Sequence, residues 1–277
     1  MLFEKLILCE SVVVLAKSPQ VCSEFVSSVL DLIRPVPYAG LVRPYLIMQS
    51  DFNTLGQDGS LPRNFLIGIT NPFLLKRITS ALEKSNRSMP HIVYLDRSEG
   101  AIPLKSHGVQ LPPGVDIPGG SGGLSLHRSG SKRIKTDTGF TRDLTAFQKS
   151  LSLASATHSD IDSLIRRQFA ELAAQFLAPI NRYLQTSLAS DAFTPGGNPK
   201  YGNFNEADFL KSLSKHGTAL EFKERIPVQR HRSRDAFYEA FCRSPNFYAW
   251  MEMKLSLEKE ASAGMLNEPR KAYLVPD

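Results

Sequence analysis

Gly119-Gly120-Ser121-Gly122-Gly123 has the strongest claim to chemistry in this sequence, because a glycine-rich loop at a helix start turns its backbone N–H groups toward phosphate. Its context argues against that role. No apolar run precedes it, no Gly-Lys-Ser/Thr follows it, and Pro112-Pro113 and Ser131-Lys132-Arg133 flank it with low-complexity sequence, so the composition predicts a linker. The first apolar run ends in Ala16-Lys17-Ser18-Pro19, without the G-x-G-x-x-G that lets a dinucleotide approach. Histidines 91, 107, 127, 158, 216 and 231 form no H-x-x-x-H or H-E-x-x-H pair for a metal and are expected mostly on the surface. There is no G-x-S-x-G, and Ser60 lies in a turn-like stretch with nothing to activate it. Cys9, Cys22 and Cys242 are too few and too scattered for a disulfide framework or a zinc site. No catalytic constellation, metal or cofactor is expected; the chain should work by gripping another protein.

Composition narrows the setting. A mild excess of 33 Lys plus Arg over 27 Asp plus Glu, a formal charge of +6, suits acidic partners without forming the basic stripe with interleaved aromatics of a nucleic-acid binder. Unpaired cysteines predict a reduced, cytoplasmic protein. The run Val12-Val13-Val14-Leu15-Ala16 is far too short to span a bilayer, so any membrane association is expected to be peripheral. In the segment 128–135, four basic residues surround Ser129 and Ser131; a solvated linker is the favoured reading, with an acidic-lipid or phosphorylation site as the alternative. Asn86-Arg87-Ser88 fits a glycosylation acceptor, which a cytoplasmic setting makes irrelevant.

The elements that would position a binding surface are legible as alternating strands and helices. A short helix over 2–8 leads into a buried strand over 12–16; Ser18 and Pro19 then cap a helix whose apolar face carries Val21, Phe25, Val29, Leu32 and Ile33. Strands are expected at 45–48, 65–69 and 91–95, and Thr70-Asn71-Pro72 caps a helix bearing Phe73, Leu74, Leu75, Ile78 and Leu82. In that reading Asn71-Pro72-Phe73 is a cap with Phe73 packed inward, not a peptide displayed to an adaptor domain. Together these segments predict an α/β fold with a largely parallel sheet and helices on both faces over 1–96. A flexible linker over 97–144 follows, then an all-helical part over 145–277. Its first helix starts near Asp160 and is expected to kink at Pro179, with further helices at about 206–213, 235–243 and 245–260. The chain opens on a helix that enters a central-looking strand at once, as though it begins inside a module.

Several strings in order resemble the DENN-domain family, most closely its DENN domain-containing protein 6 branch. Leu2-Phe3-Glu4-Lys5-Leu6-Ile7-Leu8 with Val13-Val14-Leu15-Ala16-Lys17-Ser18-Pro19 is similar to the opening of that branch's central segment. Arg43-Pro44-Tyr45, Asp51-Phe52 and Gly68-Ile69-Thr70-Asn71-Pro72-Phe73 continue the likeness. Pro179-Ile180-Asn181-Arg182-Tyr183 and Ser244-Pro245-Asn246-Phe247 with Trp250 extend it into the helical part. The likeness covers about 2–95 and 160–260; Cys9-Glu10-Ser11 departs from the family's Gly-Glu-Pro, and the family's upstream longin-like lobe has no counterpart here.

The resemblance implies a guanine-nucleotide exchange factor for a Rab-family small GTPase in membrane traffic, at endosomal membranes. It also implies contact through loops at strand ends, with Arg43, Tyr45, Asp51, Phe52, Asn71 and Phe73 as partner-binding residues. The alternative is an interaction fragment that binds a GTPase or other protein without exchanging nucleotide. A nucleotide-dependent enzyme on a doubly wound sheet is disfavoured for want of a phosphate loop.

Overall fold

The computed structural model describes residues 1–47, 61–95, 132–135, 137–152, 158–192 and 204–266. Helix α1 (Leu2–Ile7) runs into strand β1 (Val12–Ala16), and α2 (Pro19–Leu30) returns over the sheet. Strands β2 (Leu41–Arg43) and β3 (Phe65–Ile69), helix α3 (Pro72–Lys84) and strand β4 (His91–Leu95) complete the α/β lobe. All pairings are parallel, in the order β2-β3-β1-β4, with Val12 level with Leu66 on one side and His91 on the other.

Period-2 alternation sorts the strands' side chains onto two faces. Val12, Val14 and Leu66 face α1 and α2, whereas Val13, Leu15, Phe65, Ile67 and Ile69 face α3. Helix α2 is set by its cap, where the Ser18 hydroxyl accepts from the Val21 N–H at 3.3 Å and Pro19 occupies the first position. It buries Cys22, Val26 and Val29, one helical stripe. Helix α3 likewise buries Leu74, Leu75, Ile78 and Leu82 beneath an Asn71 cap.

The helical half comprises α4 (Thr138–Ser152), α5 (His158–Ala192), α6 (Glu206–His216), α7 (Pro227–Cys242) and α8 (Pro245–Leu266). Its centre is aromatic: Phe176 of α5 stacks on Tyr238 at 5.0 Å and meets Phe237 and Phe241 edge-on. The Tyr238 hydroxyl donates to the Phe176 carbonyl at 3.0 Å. This core is continuous with the α2 face of the sheet, so the two halves share one interior.

Four sequence expectations need correction. The second strand lies at Leu41–Arg43, not 45–48, because Pro44 has no N–H to continue the ladder; the Leu46 N–H rejoins at the Gly68 carbonyl, 2.8 Å away. Met48 lies outside the described residues. Helix α4 begins at Thr138, inside the stretch read as linker, where Asp137 accepts from the Gly139 and Phe140 N–H groups. Residues 132–135 are not solvated linker: Ile134 is buried, bridges Phe222, and its N–H donates to Glu4 at 2.9 Å. Helix α7 starts at Pro227, two turns before the expected 235, with proline at its first position. The single long helix expected across Pro179 is present as α5.

Candidate binding surface at the carboxyl edge of the sheet

In an open parallel sheet, the loops beyond the carboxyl ends of the strands form the ligand-facing rim. Here that rim joins two segments distant in sequence. Gly68 is the fulcrum: a Cβ on it would stand 2.1 Å from the Pro44 carbonyl oxygen and 3.1 Å from the Cys22 Cβ, so only glycine lets residues 43–46 lie against β3. The Tyr45 hydroxyl then meets the Thr70 hydroxyl at 3.3 Å, and Leu46 is buried in the α3-side core.

Cys22 closes the rim from beneath, its Sγ donating to the Ile69 carbonyl at 3.1 Å. Burial pushes this thiol's pKa up, and burial likewise raises Cys9 to about 11 and Cys242 to about 12. All three cysteines are free and buried, and their thiols stay protonated.

Among the six expected contact residues, four are brought together on this rim. Arg43 is exposed at the end of β2 and Tyr45 is half-buried against Thr70. Asn71 caps α3, its Oδ1 accepting from the Phe73 N–H at 2.9 Å. Phe73 overturns one expectation: it is not packed inward but 71% exposed, because the buried stripe of α3 starts at Leu74 and Leu75 and leaves residue 73 on the outside. Asp51 and Phe52 lie outside the described residues.

Sequence reading missed Gly68, Cys22, Thr70 and Ile47, the last 50% exposed just beyond Leu46. An isolated glycine inside Phe65-Leu66-Ile67-Gly68-Ile69 was the available signal, since it marks close backbone approach. Among the described residues, Lys17, Arg43, Lys76 and Arg77 are exposed around the N-termini of α2 and α3, whose backbone dipoles add positive potential. The exposed Phe73 with half-buried Tyr45 among these cations can bind an acidic, partly apolar protein surface; among the described residues the rim contains no base–nucleophile pair.

Elsewhere, a shallow groove of 350 Å³ between the helical half and residues 219–221 is lined by Lys135, Gln168, Glu171, Gln175 and Glu221, and by none of the expected contact residues. Among the described residues no cluster of His, Cys, Asp and Glu could hold a metal, and no helix is long and apolar enough to cross a membrane. His91 differs from the surface expectation: it is buried, and desolvation first, then Lys5 and the N-terminal ammonium, lower its pKa.

No protein-family model matches the chain. It is, however, 27% identical to "Protein DENND6A" of Gallus gallus over 97% of its own length, and 28% identical to "Protein DENND6B" of Homo sapiens over 93%. The chain thus resembles the DENND6 branch of the DENN family along nearly its whole length. A "Protein DENND6 homolog" of Dictyostelium discoideum is 22% identical over 92% of the chain. The chain spans about two-fifths of the length of these DENND6 proteins, 44% of the chicken protein and 42% of the human one. Similarity thus runs through both the α/β lobe and the helical half.

The helical strings shared with the DENND6 branch have structural work that their sequence did not disclose. Asn246, 0% exposed, donates to the Leu6 and Ile7 carbonyls at 2.8 and 3.1 Å and accepts from the Ala39 N–H at 2.7 Å. Arg182 donates to the Gly217 carbonyl at 2.9 Å, and Lys254 lies over the Trp250 ring and bonds Asn181. Asn246 ties the helical half to the α/β lobe, whereas Arg182 and Lys254 brace the helical half internally.

Proposed function

We propose that this chain is part of a DENN module that releases nucleotide from a Rab-family small GTPase in membrane traffic, with the carboxyl rim of the sheet as a contact surface. The observation that carries the reading is the similarity to DENND6 proteins over nearly the whole chain. The exposure of Phe73 and of Arg43 at the carboxyl edge of the sheet supplies a surface suited to it.

The mechanism needs no covalent step. A protein that binds the nucleotide-free GTPase more tightly than the loaded form must, by linkage, weaken nucleotide binding by the same factor. Each tenfold of that preference takes about 1.4 kcal/mol, which a few contacts holding the GTPase's switch segments open can supply. Phe73 and Tyr45 would offer apolar area, Arg43 would pair with a GTPase carboxylate, and Asn71 would fix the helix start that presents Phe73. Asp51 and Phe52, outside the described residues, are assigned to the same surface on the resemblance alone.

Release of fluorescent GDP from a panel of purified Rab proteins, with and without this chain, tests the proposal. Acceleration for at least one member is the expected result. Stable binding without acceleration would make the chain an interaction fragment; no binding to any member would overturn both readings.

A further inference from the structure

The helical half carries a second surface that nucleotide exchange does not use. Residues 225–232 are all exposed, although 227–232 form the first turns of α7. A helix exposed on every side projects from the body that carries it. At its tip stand two aliphatic side chains in water, Ile226 at 54% and Val228 at 60% exposure. Lys223 and Arg225 precede them, and Arg230 and Arg232 follow.

Folding adds a second basic segment. The Lys223 N–H donates to the Arg133 carbonyl and the Lys135 N–H to the Glu221 carbonyl, each at 2.8 Å, which lays residues 132–135 alongside 221–223. Burial depresses the Lys132 pKa, Glu4 opposes that, and Lys223 is near enough for its charge to lower it further. The acidic side chains of the region are Glu4, which accepts from the Arg133 and Ile134 N–H groups, Glu221, tied to Lys135 at 2.6 Å, Asp137 and Glu224. Arg230 is braced, its guanidinium donating to the Glu224 and Arg225 carbonyls at 3.0 and 3.2 Å.

We propose that the projecting segment 223–232, together with residues 132–135, docks this chain on an anionic lipid bilayer, Ile226 and Val228 entering the headgroup boundary while the surrounding cations meet lipid phosphates. Aliphatic tips ringed by cations on a convex finger match a planar, anionic surface with an apolar layer beneath it. Nucleic acid fits less well, because the segment holds no Phe, Tyr or Trp to stack on bases, and Ile226 and Val228 would find no apolar layer there. The inference goes beyond the exchange reading and fails separately from it.

Co-sedimentation of the full chain with vesicles tests it, using phosphatidylcholine alone or with about one third phosphatidylserine. Binding to the anionic vesicles only, weakened by salt, is expected. R225Q/R232Q should bind about 25-fold more weakly, at about fivefold per cation. I226S/V228S, which keeps every charge, should lose about tenfold. All four side chains are exposed, so melting temperature should hold in both variants, and GDP release from a Rab in vesicle-free solution should be unchanged by either. Equal binding to neutral vesicles, or anionic binding untouched by both variants, would overturn the proposal. So would tighter binding to an RNA duplex than to vesicles, indifferent to I226S/V228S.

Discussion

The two faces of the sheet are built alike and used differently. Both are covered by a helix with an asparagine or serine cap and proline at its first position. The α2 face is continuous with the helical half through a large aromatic core and the buried Asn246, whereas the α3 face closes over its own smaller cluster. The difference locates accessibility. The fused face is unavailable to a partner, so what the lobe offers lies at the rim and on the outside of α3, where Phe73 stands.

The largest effect should come from breaking the joint on the fused face. Asn246→Ala empties a fully buried site, strips the Ala39 N–H and the Ile7 carbonyl of their side-chain partner and leaves the Leu6 carbonyl with the Cys9 N–H alone, and should cost about 4 kcal/mol in urea unfolding. A loss below about 1 kcal/mol would mean that apolar packing alone joins the halves and that the comparison overstates the polar weld.

Gly68→Ala tests the rim from inside and should cost about 3 kcal/mol, since the new Cβ collides with backbone at Pro44 and not with a yielding side chain. Because residues 43–46 must then lift from β3, Rab binding should weaken beyond what the lost stability explains. Unfolding and binding measured on the same preparation separate the two.

A smaller effect distinguishes the fused face by pH. His91 lies beside Lys5, its folded pKa depressed below the ordinary 6.5, so the unfolded chain takes up its proton first as pH falls. Stability from this residue is fully present above about pH 6.5 and declines as pH drops from there toward the folded pKa. In His91→Gln, thermal unfolding followed across that window should lose this part of the slope.

Much of this contrast was legible in sequence, and the failures have identifiable causes. Strands β1, β3 and β4 are apolar runs save for Gly68 and His91, and the caps at Ser18 and Asn71 announce α2 and α3. Strand β2 was displaced because Tyr45-Leu46-Ile47-Met48 is more apolar than Leu41-Val42-Arg43, and composition does not weigh the N–H that Pro44 lacks. Helix α4 was hidden because Thr138 and Gly139 continue the linker's composition. The joint was invisible for another reason: Asn246 and Leu6 are 240 residues apart, and a lone asparagine in a helical string gives no sign that its amide is buried. At the rim, the strings drew attention to residues that the fold places at one edge, but the apolar run Phe73-Leu74-Leu75 gave no indication of which member would be left outside.

Phe73 is therefore where the comparison is sharpest and the stability effect smallest. Replacing Phe73 with Ala removes a ring that is 71% exposed, so unfolding should change by no more than about 0.5 kcal/mol. Its neighbour Leu74, 4% exposed, should cost about 3 kcal/mol on the same change. Binding to the responsive Rab should show the reverse order of importance: Phe73→Ala should weaken it about tenfold or more, as truncation of an aromatic anchor does at a well-packed interface. Leu74→Ala should weaken it only to the extent that the folded fraction falls. If Phe73→Ala leaves both stability and binding unchanged, the α3 exterior is not the surface the lobe offers, and the contact must be sought on the remainder of the rim, around Arg43 and Tyr45.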